Sequence, residues 1–311
     1  MEFLAIILGL FFLIKGGEFL FNGSLSASIK LQIPRFIVGL TIVSFATSAP
    51  ELVVSVQSAV KGFPDLALGN IVGSNVANLA LVLGIVAIIT PIKIEKVFYK
   101  YDWPIMIIVT LLFYFLIKTN DNLSRIEGVI FIIFLMAYLI FLVFYQKSRI
   151  TQDEFFDDDK TTSYVKIFYL IVIGGFLLWL GSEVLIKGAV SLASKLGVSE
   201  RIVSVSIIAF GTSIPELSTS IIAIINKEHN ISVGNLIGSN IFDMIGVIGI
   251  TSILSPIYIS DKGLINSDLV WMVCLAFFIL PLVFFPNKMK FGRSEGIILI
   301  VFYVFFISRL F

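Results

Sequence analysis

The chain has 311 residues, 58% of them hydrophobic and only 14% charged, with a mean hydropathy of +1.03. Soluble domains carry about a quarter charged residues, so this composition excludes an ordinary soluble globule and places the chain in a bilayer. The near balance of 22 Lys+Arg against 21 Asp+Glu excludes the basic excess of a nucleic-acid binder, and a single cysteine excludes an intramolecular disulfide.

Long apolar runs predict helices, because a membrane-spanning helix needs about 20 apolar residues whereas a barrel strand needs about 10 that alternate with polar ones. The first run, 2–27, lacks the basic start of a signal peptide and carries Lys15 and Glu18, so it reads as a retained helix. Further spans are predicted at 36–60, 68–90, 101–117 and 127–146. A polar stretch with the acidic run Asp157-Asp158-Asp159 follows and reads as a solvated linker, 147–164. Five more spans are predicted at 165–192, 200–225, 232–254, 268–285 and 296–309. Cys274, inside the ninth, reads as a small buried hydrophobe. With the linker placed in the cytoplasm, its side of the membrane holds thirteen loop Lys and Arg against seven, so both termini are expected outside.

An internal repeat organises these spans. TSAPEL at 47–52 aligns with TSIPEL at 212–217, and GNIVGSNVAN at 69–78 with GNLIGSNIFD at 234–243, both at an offset of 165 residues. The same register pairs Gly16 with Gly181, Glu18 with Glu183, Gly23 with Gly188 and Pro91 with Pro256. The expected domains are therefore a first repeat, 1–146, the linker, and a second repeat, 165–311. Five helices per repeat is an odd number, so the second enters the membrane from the opposite side. Inverted repeats are the common build of secondary transporters, with the substrate near the midplane where broken helices meet.

Charge at membrane depth costs about 2.5–3.5 kcal/mol or more per group, so its placement points to function. Glu51, Glu216 and Asp243 lie well inside predicted spans, all within the repeated motifs. Glu18 and Glu183 have Lys15 and Lys187 at helical spacing, which predicts ion pairing rather than ligand duty. On a helix Thr47, Ser48 and Glu51 face one direction, and a mid-helix Pro50 frees the Ala46 carbonyl; Pro215 acts likewise beside Gly211, Thr212, Ser213 and Glu216. Carbonyls, hydroxyls and carboxylates are hard oxygen donors that suit sodium, calcium or magnesium and disfavour zinc and copper. Asn70, Ser74 and Asn78 step by four along one face, as do Asn235, Ser239 and Asp243. Ser74, Asn78, Ser239 and Asp243 are read as ligands. Asn70 and Asn235 are open to two readings, helix-to-helix hydrogen bonding or support behind the ligands. Gly69, Gly73, Gly234 and Gly238 read as close-packing positions. Two glutamates and the carbonyls of Thr47 and Thr212 approach the six to eight oxygens calcium takes. Three acidic groups can balance three sodium ions or one calcium, and overlapping ligands make the two loads mutually exclusive.

The doubled TSAPE/TSIPE and GNIVGSNVAN/GNLIGSNIFD motifs closely resemble the two alpha repeats of the sodium/calcium exchangers, within the cation/calcium exchanger superfamily, over essentially all ten helices. The resemblance implies an all-α integral membrane antiporter of the cell membrane, ten transmembrane helices in two inverted five-helix repeats. Such a protein moves about three sodium ions against one calcium, electrogenically and by alternating access, without a cofactor and with the monomer as functional unit. It implies calcium ligands Glu51 and Glu216 with the Thr47 and Thr212 carbonyls. Flanking sodium sites follow from Ser48, Ser74 and the Ser44 carbonyl, and from Ser213, Ser239 and the Ala209 carbonyl, with Asn78 and Asp243 between. It also implies that the first and sixth helices slide across the rest. Ala46 stands where the second repeat and the family carry glycine, here Gly211. The Asn78/Asp243 asymmetry resembles sodium-coupled members.

A proton/calcium or broader divalent-cation antiporter on the same fold is the alternative. An intramembrane protease would need paired aspartates or a Ser with a His in the bilayer. Asp243 has no second intramembrane Asp by this reading, and the one histidine, His229, falls in a loop, so no enzyme is expected. A passive channel fits poorly, because a tight carboxylate cage holds ions too well for rapid flow.

Overall fold

The structure, a computed structural model, describes residues 2–94, 98–120, 122–146, 162–195, 209–285 and 289–310. Most of the predicted linker 147–164, with its aspartate run, and the start of the predicted span 200–225 lie outside the described residues. The chain runs through α1 (Glu2–Leu31), α2 (Arg35–Thr47), α3 (Ala49–Val60), α4 (Pro64–Ile89), α5 (Trp103–Asn120) and α6 (Arg125–Gln146). It continues through α7 (Tyr164–Lys195), α8 (Ala209–Thr212), α9 (Ile214–Ile225), α10 (His229–Leu254), α11 (Leu264–Phe284) and α12 (Arg293–Ser308). Among the described residues seven helices are long and apolar enough to cross a membrane, and the bent pair α2 and α3 makes an eighth if it is one span. Large apolar side chains such as Ile133, Phe144, Phe168, Val301 and Phe305 lie exposed on the outer helix faces, the inverse of a soluble protein. Cys274 is on that outer face of α11, so it is exposed rather than buried; an apolar thiol needs no shelter from lipid.

The span predicted as one helix at 36–60 is two. It bends by 42° at Ser48, whose φ of −77° and ψ of 4° leave the helix. Pro50 is therefore not in a helix interior but in the first turn of α3, where its missing N–H costs no hydrogen bond and its fixed φ suits the start. Pro215 likewise stands in the first turn of α9, but Ser213 before it keeps right-handed helical angles (φ −83°, ψ −1°) and α8 and α9 run on as one apolar helix, Ala209–Ile225. The described residues also hold five π-helical turns that had no sequence signal: Gly39–Val43 in α2, Ala77–Val82 in α4, Phe98–Asp102 ahead of α5, Phe242–Val247 in α10 and Leu264–Asp268 at the start of α11. Such turns concentrate at functional positions, and those of α4 and α10 carry candidate site residues.

The two halves pack through one another. α1 and α7 lie along each other, and their glycines set the distance. A methyl on Gly16 would stand 2.9 Å from the Gly174 carbonyl, and one on Gly181 2.8 Å from that of Gly9. α4 meets α12 where Gly84 faces Gly296, and α6 meets α10 where Gly128 faces Gly249. Short antiparallel strands tie the ends: β1 (Ile92–Lys93) pairs with β4 (Lys290–Phe291), and β2 (Asn122–Leu123) with β3 (Ile257–Tyr258). Gly234 and Gly238 lie against the backbone of α2 at Phe36 and Leu40, as expected of close-packing positions. Lys15–Glu18 and Lys187–Glu183 form ion pairs of 2.8 Å at partly exposed positions, as their spacing predicts.

Candidate cation site

The buried centre of this apolar body is polar. Glu51, Glu216, Asp243, Asn78, Ser44, Thr47, Ser74, Thr212 and Ser239 are fully inaccessible, and Ser48, Ser213 and Ala209 nearly so. Each glutamate occupies the first turn of a half-helix, α3 or α9, so each carboxylate sits at the positive end of a helix dipole. Asn78 and Asp243, equivalent under the 165-residue offset, each take the second position of a π turn. The polar rows on α4 and α10 thereby reach the two breaks.

Glu51 lies within electrostatic reach of Glu216 and Asp243 and beside Thr212. Asp243 neighbours Glu216, Ser48 and Ser74, and Glu216 neighbours Thr47, Ser48 and Ser239. Ser239 Oγ donates to Glu216 Oε1 at 3.2 Å and lies 3.3 Å from Thr47 Oγ1. Both carboxylate oxygens of Glu51, both of Asp243, Oε2 of Glu216, the Ser48 hydroxyl and both amide atoms of Asn78 are buried without a hydrogen-bond partner. Uncompensated buried carboxylates are costly, and such a concentration of them is the mark of a site shaped for something else to complete. Among the described residues no three of His, Cys, Asp and Glu converge tightly enough to hold a metal ion by themselves. A cation here would need the interleaved hydroxyl, amide and carbonyl oxygens as well, and the donor set is oxygen throughout.

The other candidate residues already have partners. Ser44 Oγ donates to the Gly39 and Asn235 carbonyls at 2.9 and 3.0 Å, while the Ser44 carbonyl accepts from Ser48 N at 2.9 Å. The Ala209 carbonyl accepts from the hydroxyls of Thr212 and Ser213 at 3.2 and 3.1 Å. Ser74 Oγ donates to the Ile71 carbonyl at 3.1 Å. Ion contact through these groups requires sharing or rotation of those bonds.

Asn70 and Asn235 bridge the halves. Thr212 Oγ1 donates to Asn70 Oδ1 at 3.2 Å, and Thr47 Oγ1 to Asn235 Oδ1 at 3.1 Å. Each asparagine amide is anchored in turn, Asn70 Nδ2 on Ser55 at 3.3 Å and Asn235 Nδ2 on Thr219 and Ser220 at 3.0 and 3.3 Å. The helix-to-helix hydrogen bonding is present, and it also fixes the threonine hydroxyls that lie beside the glutamates. Ser55 and Ser220 went unremarked in the sequence although they share the 165-residue register. Buried Asp102, Asp268 and Glu295 were also missed. Two further intramembrane aspartates therefore exist, but neither is among the groups acting on Asp243. Glu295 caps its own helix by accepting from Gly292 N at 2.9 Å. His229 starts α10 rather than lying in a loop, next to Glu228, which forms an ion pair with Arg35.

A family model described as sodium/calcium exchanger protein matches residues 1–144 and 166–311. The chain is 34% identical over 304 residues to the putative antiporter CaxA of Alkalimonas amylolytica, covering 96% of this chain and 95% of that one. It is 28% identical to the sodium/calcium exchanger MaX1 of Methanosarcina acetivorans, over 100% and 98% of the two lengths. Its fold superposes on the sodium-calcium exchanger NCX_Mj, solved from crystals soaked with Na+ and Ca2+, with a TM-score of 0.82 and 27% identity over 100% and 98% of the chains.

Proposed function

Because the chain belongs to the sodium/calcium exchanger protein family, a family of multi-pass membrane cation/calcium antiporters and not enzymes, we propose that it exchanges about three sodium ions for one calcium by alternating access. The observation that carries this reading is the cluster of buried, unpartnered oxygens on Glu51, Glu216, Asp243, Asn78 and Ser48. Glu51 and Glu216 are the calcium ligands in this proposal, each at the start of a half-helix, with the Thr47 and Thr212 carbonyls. Ser48, Ser74 and the Ser44 carbonyl would take one sodium, Ser213, Ser239 and the Ala209 carbonyl another, with Asn78 and Asp243 between them. One calcium and three sodium ions would draw on the same carboxylates, so either load excludes the other and net charge moves each cycle.

We read residues 1–146 and 165–311 as two inverted repeats of five helices each, with the linker in the cytoplasm and both termini outside. The crossed glycine contacts, Gly84 with Gly296 and Gly128 with Gly249, support this reading, since each joins a helix of one half to a helix of the other. In the proposal α1 and α7 move as the sliding pair.

The test is calcium uptake into sodium-loaded proteoliposomes, with external sodium, potassium or choline, with and without an ionophore that collapses any pH gradient. Uptake that needs the outward sodium gradient and survives pH collapse is the expected result. Uptake that ignores sodium and follows the pH gradient would overturn sodium coupling and move the protein to proton/calcium antiport.

A further inference from the structure

A groove of about 620 Å³ opens on the outer surface between α2, α6, α7 and α10, within the size range of ligand-binding cavities. Its walls are Ile42, Phe45 and Ala46 on α2, Leu139 on α6, and Val172 and Phe176 on α7. Among the described residues on its walls the one polar side chain, Thr41, has its hydroxyl turned to the Ile37 carbonyl at 2.6 Å. The groove is wide because α7 carries Gly175 where it faces α2. A Cβ there would meet only the Ala46 methyl, at 3.6 Å, in ordinary contact.

Its depth and its outlet identify the occupant. Residues 135–139 are central in α6, 171–176 in the apolar span Tyr164–Gly181 of α7, and 41–49 in the bent pair α2 and α3 taken as one span, so the groove lies at hydrocarbon depth, away from headgroups and water. It is continuous with the outward face of the same helices, where Phe168, Val172 and Phe176 are 63%, 48% and 54% exposed, alongside Phe134 at 45%. Protein interiors are close-packed, and an open apolar channel of this size offers water no polar partners. The medium that meets this face is the acyl chain of the bilayer. The geometry points to a seat for one acyl chain of a membrane phospholipid, laid between α7 and the bent pair α2 and α3.

The seat ends close to the cation site. A smaller void shares Phe45, Ala49, Phe242 and Ile250 with the groove and reaches Ser48, whose hydroxyl is unpartnered. Phe45 and Phe242, in an edge-to-face pair with ring centroids 5.4 Å apart, stand between groove and serine. A chain in the groove backs this aromatic pair and closes the lateral route to Ser48. This inference rests on membrane depth and shape alone, not on which ions are exchanged.

The experiment uses the full chain in phosphatidylcholine vesicles doped with a phosphatidylcholine that carries a diazirine in mid-chain. After irradiation, adducts are mapped on the wild type and on Gly175→Leu, which fills the groove, and Val172→Trp, which blocks its exposed rim. The expected result is labelling of Ile42, Phe45 and Leu139 in the wild type and loss of those adducts in both variants, with labelling of Phe134 and Phe168 retained. Val172→Trp alters only an exposed position, so it keeps the test valid if Gly175→Leu does not fold. Absence of groove adducts in a wild type that labels on Phe134 and Phe168 would overturn the proposal. Groove adducts that persist in the folded variants would overturn it equally.

Discussion

Glu51 and Glu216 each begin a half-helix with no hydrogen-bond partner for three of their four carboxylate oxygens. Replacing either by Gln removes a full negative charge while preserving shape. Loss of one charged ligand costs about 2–3 kcal/mol of binding, roughly a hundredfold. Calcium uptake by Glu51→Gln or Glu216→Gln proteoliposomes should therefore fall to near background, and appreciable flux in both would end the assignment. Asp243→Asn makes the second repeat match Asn78 in the first. It should alter sodium coupling or pH response more than folding, read as the sodium dependence of uptake across a pH series. Asn235→Ala removes the partner shared by Thr47, Thr219 and Ser220, while Thr47 keeps the Ser44 carbonyl and Ser239 and Thr219 keeps the Pro215 and Glu216 carbonyls. A lost hydrogen bond costs about 0.5–1.5 kcal/mol, so a lower thermal midpoint and weaker calcium affinity are expected together. A stability loss with unchanged affinity would show that the Asn235 bridge only holds helices together.

Helix breaks position these residues, and helix crossings fix the breaks. Ser48 leaves helical geometry just before Pro50, and Ser213 marks the matching junction before Pro215, so a glutamate falls in the first turn of each following helix. The crossings depend on backbone contact at glycine. A Cβ at Gly128 would stand 2.8 Å from the Gly249 carbonyl and 3.1 Å from Ile253. Gly128→Val should destabilise by about 1–3 kcal/mol through overpacking, measured as a drop in thermal midpoint. Gly175→Ala, which meets only the Ala46 methyl, should leave the midpoint nearly unchanged. Equal effects at the two positions would show that the α6–α10 crossing tolerates more space than its geometry indicates.

The assembled molecule encloses a polar cluster within an apolar core and turns further apolar side chains outward, with strands β1 to β4 and the glycine crossings joining the halves. Those contacts join the halves within the described residues. Deleting 153–159 should accordingly leave basal exchange intact, and complete loss of transport in a folded deletion would show that the linker does more than tether.

Composition, the apolar runs and the 165-residue repeat were enough to read a helical membrane protein, the candidate acids and the ion pairs of Lys15 and Lys187, because hydropathy and helical spacing are local properties. The doubled motifs marked both glutamates and Asp243 for the same reason: a charge in an apolar run is visible without a fold. Local pattern placed a disruption at Pro50 but not the break at Ser48 that makes Pro50 a helix start, and it did not reveal the π turns under Asn78 and Asp243 or the exposure of Cys274. It also missed the hydrogen bonds by which Asn70 and Asn235 hold the threonines of the opposite half. Those features arise where two distant helices meet, and a residue's partner across such a contact is set by packing rather than by its neighbours in the chain.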